Sequence, residues 1–152
     1  YINDIETLPA KLKKAVRSLT PEMLDTPYRP GGWTARQVVH HIGHSHINGF
    51  TRLKLALTEN SPVIKPYLQD KWVNLPDCKQ AEIAPSLKLI ESVHASWVLL
   101  LKQMKPKDFL RSYIHPEGNV LYTLNQSTGL YAWHSNHHLA HITSLKKRNG
   151  WK

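Results

Sequence analysis

Apolar residues return at every third or fourth position along most of this chain, and that spacing admits little besides a bundle of helices. Ile5, Leu8, Leu12, Val16 and Leu19 mark a first amphipathic helix over residues 4–18, with Lys11, Lys13, Lys14 and Arg17 on its other faces. Thr20-Pro21-Glu22 supplies an N-cap, a first-turn proline and an acid for a short helix ending near Thr26-Pro27. After the loop Arg29-Pro30-Gly31-Gly32, Thr34 is placed to cap a long helix that runs to about Thr58 and carries Val38, Ile42, Phe50, Leu53 and Leu57. Residues 60–80 are interrupted by Pro62, Pro66 and Pro76 and read as a long crossover with one turn around Trp72. Pro85-Ser86 opens a third long helix whose stripe holds Leu87, Ile90, His94, Trp97 and Leu101, and Pro106-Lys107-Asp108 starts another short turn. Tyr113-Ile114 and Val120-Leu121-Tyr122 flank Pro116-Glu117-Gly118-Asn119, a hairpin signal and the only β-like stretch. Thr123 then caps a last helix reaching about Arg148, closed by Asn149-Gly150.

The expected fold is therefore all-α: a four-helix bundle with a long crossover and a small β-hairpin before the last helix, as one domain over residues 1–152. That length buries a core without disulfides or a structural metal. No βαβ unit, Gly-rich phosphate loop or nucleophile elbow is present. The single cysteine, Cys78, excludes an internal disulfide and a Cys-rich zinc site and reads as an ordinary thiol. No run approaches the ~20 apolar residues of a membrane helix and no signal-peptide core is visible, so a cytoplasmic protein without a membrane partner is expected. The net charge of +9 invites an anionic partner. Its lysines and arginines are dispersed, with Lys11 to Arg17 at one end and Lys146, Lys147 and Arg148 at the other, and no nucleic-acid motif accompanies them. A small anionic substrate suits the charge better than nucleic acid.

Histidine is the residue that points to chemistry, with ten in the chain. Two clusters fall inside long helices: His40-His41-Ile42-Gly43-His44-Ser45-His46, and Trp133-His134-Ser135-Asn136-His137-His138-Leu139-Ala140-His141. His134 and His138, one turn apart, share a helix face, so two imidazoles there can grip one metal. His137 and His141 form a rival pair. Leu130, His134, His138, His141 and Leu145 continue the apolar stripe better than Trp133, His137, Ala140 and Ser144, which favours His134 and His138, with His141 beside them in a supporting position. On the other helix Val38, His41, Ile42 and Ser45 share the inward stripe, so His41 faces the pair while His40 points about 100° away. Three imidazoles leave an open coordination position, the pattern of catalytic rather than structural zinc sites. Zinc, nickel and ferrous iron all accept such ligands.

These same residues carry a resemblance. Gly31 to Ile42 (GGWTARQVVHHI) and Tyr131 to Ile142 (YAWHSNHHLAHI) resemble the DinB/YfiT-like superfamily, and within it the YfiT branch, which includes a bacillithiol transferase. Leu53 to Glu59, Ile64 to Tyr67, Leu24 to Arg29 and Gly150-Trp151 extend the likeness over nearly the whole chain. The resemblance implies a four-helix bundle with one divalent metal per chain, nickel or zinc before iron, held by His41, His134 and His138. One departure stands out: the family pattern has an acid three residues after the first ligand, where this chain has His44.

The resemblance also implies metal-dependent chemistry, with S-transfer from a low-molecular-weight thiol in several branches and the description of metal-dependent hydrolase attached to YfiT-like members. Transfer needs a small-molecule thiol, an electrophilic substrate and no catalytic group beyond the metal with its bound water or thiolate, because a cation beside a thiol lowers its pKa. Hydrolysis by metal-activated water wants a general base, and Glu59, Asp70 and Asp77 have no motif placing them at the metal. A metal- or ligand-binding module without turnover is the third class. Arg36 and Arg52 read as solvated arginines before they read as guides for an anionic thiol. His94 reads as a hydrogen-bonded core histidine, and His44 and His46 as flanking the pocket or facing solvent. His115 reads as a turn residue unless the hairpin covers the site mouth. Trp33, Trp97 and Trp133 read as core, with Tyr131 and Trp133 as alternative pocket walls. A homodimer is compatible with such a bundle and required by no feature of it.

Overall fold

Each of the two histidine-bearing helices begins where its sequence supplies a cap. The Thr34 hydroxyl accepts the Gln37 N–H at 3.2 Å while the Gln37 side chain accepts the Thr34 N–H at 2.9 Å. Thr123 and Gln126 repeat this reciprocal box at 3.2 and 2.9 Å. The computed structural model describes residues 1–152, and its elements run α1 (Ile2–Val16), α2 (Pro21–Leu24), α3 (Ala35–Thr58), α4 (Gln69–Trp72), α5 (Pro76–Gln80), α6 (Ala84–Gln103), β1 (Ser112–His115), β2 (Val120–Thr123) and α7 (Leu124–Arg148). The expected long helices, hairpin and turn at Trp72 are all present. The crossover holds one helix more than expected, α5, started by Pro76 at its first turn.

The four long helices form the bundle. Helix α1 packs on α6 and α7, and α3 packs on the same two, so α1 and α3 face each other across a diagonal. The hairpin pairs Ser112 with Thr123 and His115 with Val120. The crossover is pinned to it, since the Ile64 N–H donates to the Ile114 carbonyl and the Ile114 N–H to that of Pro62. This attachment holds the crossover beside the bundle, where residues 66–71 form one wall of a cleft. No helix is long and apolar enough to cross a membrane.

The core is split into two apolar clusters. One gathers Leu8, Leu12, Val38, Ile42, Ile90, Ile142 and Leu145. The other gathers Ile5, Leu53, Trp97, Leu101, Leu124 and Tyr131. Along α3, α6 and α7 the residues between the two sets are polar: buried His41, Ser45 and His46, then His94, then Ser135 and His138. A layer of imidazoles thus crosses the middle of the bundle. Below it, Gly49 is required by a close approach. A methyl group there would lie 2.4 Å from Tyr131 Cζ and 2.7 Å from Trp97. Gly49→Ala is therefore expected to destabilise the protein by about 1–3 kcal/mol, the range for overpacking, although alanine favours helix by roughly 1 kcal/mol. Thermal denaturation checks the sign.

Three sequence expectations need correction. Trp133 is 57% exposed and stacks on His137, so it belongs neither to the core nor to a pocket wall. Leu130 is 41% exposed because its end of the α7 stripe faces the cleft instead of another helix. Arg36 is buried, not solvated: it holds Asp25 through two nitrogens at 2.6 and 3.3 Å and donates to the Ala81 carbonyl, tying α2 and the crossover to α3.

Candidate metal centre

Helix α3 delivers His41, and α7 delivers His134 and His138 from successive turns. Their ring centroids lie 4.3–5.2 Å apart. One nitrogen from each ring falls within 4.8 Å of the other two. The closest approach is 3.2 Å, between His41 Nε2 and His134 Nε2. A tetrahedral ion with bonds of about 2.0–2.1 Å sets its nitrogen ligands about 3.3 Å apart, so this spacing fits a shared divalent cation. Trp33 covers the cluster from the start of α3, 4.7 Å from His41 and nearly parallel to His138.

The donors are in the form a metal requires. Burial, followed by repulsion from His44, pushes His41 down to about 4. Burial, followed by repulsion from His41 and His137, pushes His134 down to about 3. His138 is lowered by burial and then by His134 and His41. All three are neutral imidazoles near pH 7, with lone pairs to offer. Nδ1 of His41 and Nδ1 of His138 are buried without a hydrogen-bond partner.

His134 is held by a chain of imidazoles that touches all four long helices. The Ile5 carbonyl on α1 can only accept, so His94 Nδ1 donates to it at 2.6 Å. A neutral His94 then accepts at Nε2, and His46 Nδ1 donates to it at 2.7 Å. His46 Nε2 in turn accepts from His134 Nδ1 at 3.0 Å. The chain leaves the His134 lone pair on Nε2, the atom that faces His41. Burial lowers the pKa of both His46 and His94, which keeps the chain neutral. His94 is the hydrogen-bonded core histidine expected. His46 is not a flanking or solvent residue; it is fully buried at the heart of the layer.

The remaining histidines stand apart. His40 turns away as expected and bonds Ser86 at 2.7 Å and the Ala81 carbonyl at 3.3 Å. His137 stacks on Trp133, and His141 stacks on Tyr28 at 3.9 Å, so the rival pair is not part of the cluster. His141 makes no hydrogen bond to His138, and its expected supporting position is ring contact only, at 5.3 Å. His44 faces the crossover.

A cleft of about 540 Å³ opens onto the cluster. His134 and Ser45 form its floor, and the Ser45 hydroxyl lies 3.5 Å from His134 Nε2. Tyr67 and Tyr131 wall it, and His115 and Glu117 of the hairpin stand at its edge, so the hairpin does border the site. Arg52 also lines the cleft and donates to the Tyr131 hydroxyl at 3.4 Å. Asp70 borders it too, whereas Glu59 caps the C-terminus of α3 and Asp77 lies beside His44. No carboxylate belongs to the three-histidine cluster.

A four-helix bundle with a three-histidine cluster that opens on a cleft through half-buried His134 defines a class, the bundle proteins whose core can hold a divalent metal. Within it the chain belongs to the DinB superfamily, whose family model matches residues 4–142. It is 48% identical over 151 residues to a Bacillus subtilis protein named "Putative metal-dependent hydrolase YfiT", covering 99% of this chain and 85% of that one. A relative of the same description from Oceanobacillus iheyensis is 51% identical, covering 99% and 87%. The solved structure of the B. subtilis protein, described as "a probable metal-dependent hydrolase with an unusual four-helix bundle topology", superposes with a TM-score of 0.97 over 99% of this chain and 86% of its own.

Proposed function

We propose that the protein is a metal-dependent enzyme in which His41, His134 and His138 hold one divalent ion, and that its reaction is S-transfer from a small anionic thiol of the bacillithiol kind. The observation that carries this reading is the composition of the cluster: three neutral imidazoles, one of which, His134, lines a cleft, with no carboxylate among them to serve as a base. A divalent ion held by His41, His134 and His138 would supply Lewis-acid chemistry, lowering the pKa of a thiol beside it. The protein's own groups do the rest. Ser45, beside His134 in the cleft, would bound the space open to the sulfur, and Arg52 offers its guanidinium to the anionic end of the thiol. Tyr67 and Tyr131 hold the electrophile's apolar part and exclude water. The thiol loses its proton to solvent, a sulfur–carbon bond forms, and the electrophile's leaving group departs with its electron pair.

Hydrolysis is the second reading, favoured by the descriptions of the relatives and by Asp70 and Glu117 at the cleft. Protein loaded with nickel, zinc or ferrous iron separates the two. Metal-dependent loss of thiol with an alkylating electrophile is expected, and Arg52→Gln raises KM for a carboxylate-bearing thiol about tenfold while leaving cysteamine unaffected, the discrimination of a charged hydrogen bond. Metal-dependent cleavage of esters or amides in the absence of thiol, with no transfer, would contradict S-transfer.

A further inference from the structure

His44 is not one of the three clustered donors. Its ring edge packs on Trp72 of α4, with centroids 5.5 Å apart, and it meets two consecutive residues of α5. His44 Nδ1 lies 3.7 Å from Cys78 Sγ, and His44 Nε2 lies 3.9 Å from Asp77 Oδ2. One nitrogen, the sulfur and one carboxylate oxygen all fall within 4.8 Å of one another. We infer that His44, Asp77 and Cys78 form a second metal site, for a thiophilic divalent ion of the zinc class, which fastens α5 to α3.

The donor set selects the ion. Sulfur with nitrogen and oxygen suits zinc and its neighbours, whereas magnesium and calcium take oxygen. The spacing fits as well. Bonds of about 2.3 Å to sulfur and about 2.0–2.1 Å to nitrogen, at the tetrahedral angle, set the two donors about 3.6 Å apart. Asp77, with 60% of its side chain exposed, can swing in to complete the set, and the same exposure gives the ion a way in from solvent. Binding breaks the Cys78 S–H bond, forms a sulfur–metal bond and releases one proton to solvent.

The same three residue types also make nucleophilic triads, but the geometry opposes that role here. Cys78 is fully buried, and the imidazole–carboxylate distance exceeds a hydrogen bond. Burial also pushes the thiol up to about 11, the reverse of an activated nucleophile. A site that joins α5 to α3 has a mechanical consequence. The preceding residues Gln69, Asp70 and Lys71 line the cleft, so an ion at His44, Asp77 and Cys78 would stiffen that wall.

Cobalt titration of the full chain tests this independently of the three-histidine centre. Cys78 is the only cysteine, so a thiolate-to-cobalt charge-transfer band in the near ultraviolet can arise from nowhere else in the chain. The band is expected in the wild type and in His134→Ala, is lost in Cys78→Ser, and weakens at least tenfold in apparent affinity in His44→Gln. The exposed variant Asp77→Asn, which has no core role, is expected to weaken it without changing the far-ultraviolet helix signal. Absence of the band in folded wild type, or equal cobalt affinity in wild type, His44→Gln and Asp77→Asn, would overturn the site.

Discussion

Replacing His46 by leucine is expected to lower metal affinity by roughly 10–100-fold, the usual cost of losing the group that orients a ligand histidine. The prediction follows from the imidazole chain. His46 Nε2 accepts the His134 Nδ1 proton and so keeps the Nε2 lone pair of His134 aimed at His41. Leucine fills the space but accepts nothing, which frees the His134 ring to adopt the other tautomer. It also leaves the His134 N–H and His94 Nε2 without partners, at about 1–3 kcal/mol each for buried groups. The metal-free variant should therefore be less stable by about 2–6 kcal/mol, read from denaturant midpoints at constant slope. His46→Gln, whose carbonyl can accept the same proton, should recover part of the affinity. Equal affinity in wild type and His46→Leu would mean that the chain does not position His134.

Acid should unfold the metal-free protein far more readily than an ordinary bundle. Burial is the main cause that lowers the pKa of His41, His46, His94 and His134 in the folded state. In the unfolded chain these groups titrate near 6.5. The unfolded state therefore binds more protons at any pH between the two values, and stability falls as pH falls. It is fully present above about pH 7.5 and is lost progressively below about 6.5. For His41, held down to about 4, the loss at pH 5 is about 2 kcal/mol. Several such groups together approach the roughly 5–15 kcal/mol that keeps a domain folded. Thermal melts of chelator-treated protein between pH 8 and pH 5 should show the midpoint falling by tens of degrees. A flat profile would mean that the imidazole layer is hydrated rather than buried.

Much of this layout could be read from the residues, and the exceptions have physical causes. Thr34, Thr123 and the proline starts fixed the helix boundaries because capping is local chemistry, written in the residues that perform it. Helix α5 carries the same proline start at Pro76, but beside Pro62 and Pro66 that proline reads as a break in the crossover. Helical periodicity placed His41 with His134 and His138, since one inward stripe on each of two facing helices suffices to bring them together. The same periodicity pointed to His46, which follows Val39 and Ile42 and precedes Gly49 and Leu53 on the buried stripe. A polar residue there reads as flanking the pocket or facing solvent, because its partner, His94, comes from a different helix. Trp133 and Leu130 failed for the complementary reason: an apolar residue at helical spacing is core only where another element covers it, and the cleft leaves that end of α7 open. The meeting of His44 with Asp77 and Cys78 depends on how the crossover folds back, which no local pattern encodes.

The proposed function requires His41, His134 and His138 to act together on one ion. Elemental analysis of untagged protein tests it most directly, on a Cys78→Ser background so that only this centre is counted. About one divalent ion per chain is expected, and essentially none in each of His41→Ala, His134→Ala and His138→Ala with the helix signal retained. Metal-free parent protein after reconstitution with nickel, zinc or iron, or an unchanged metal content in any one of the three variants, would contradict it.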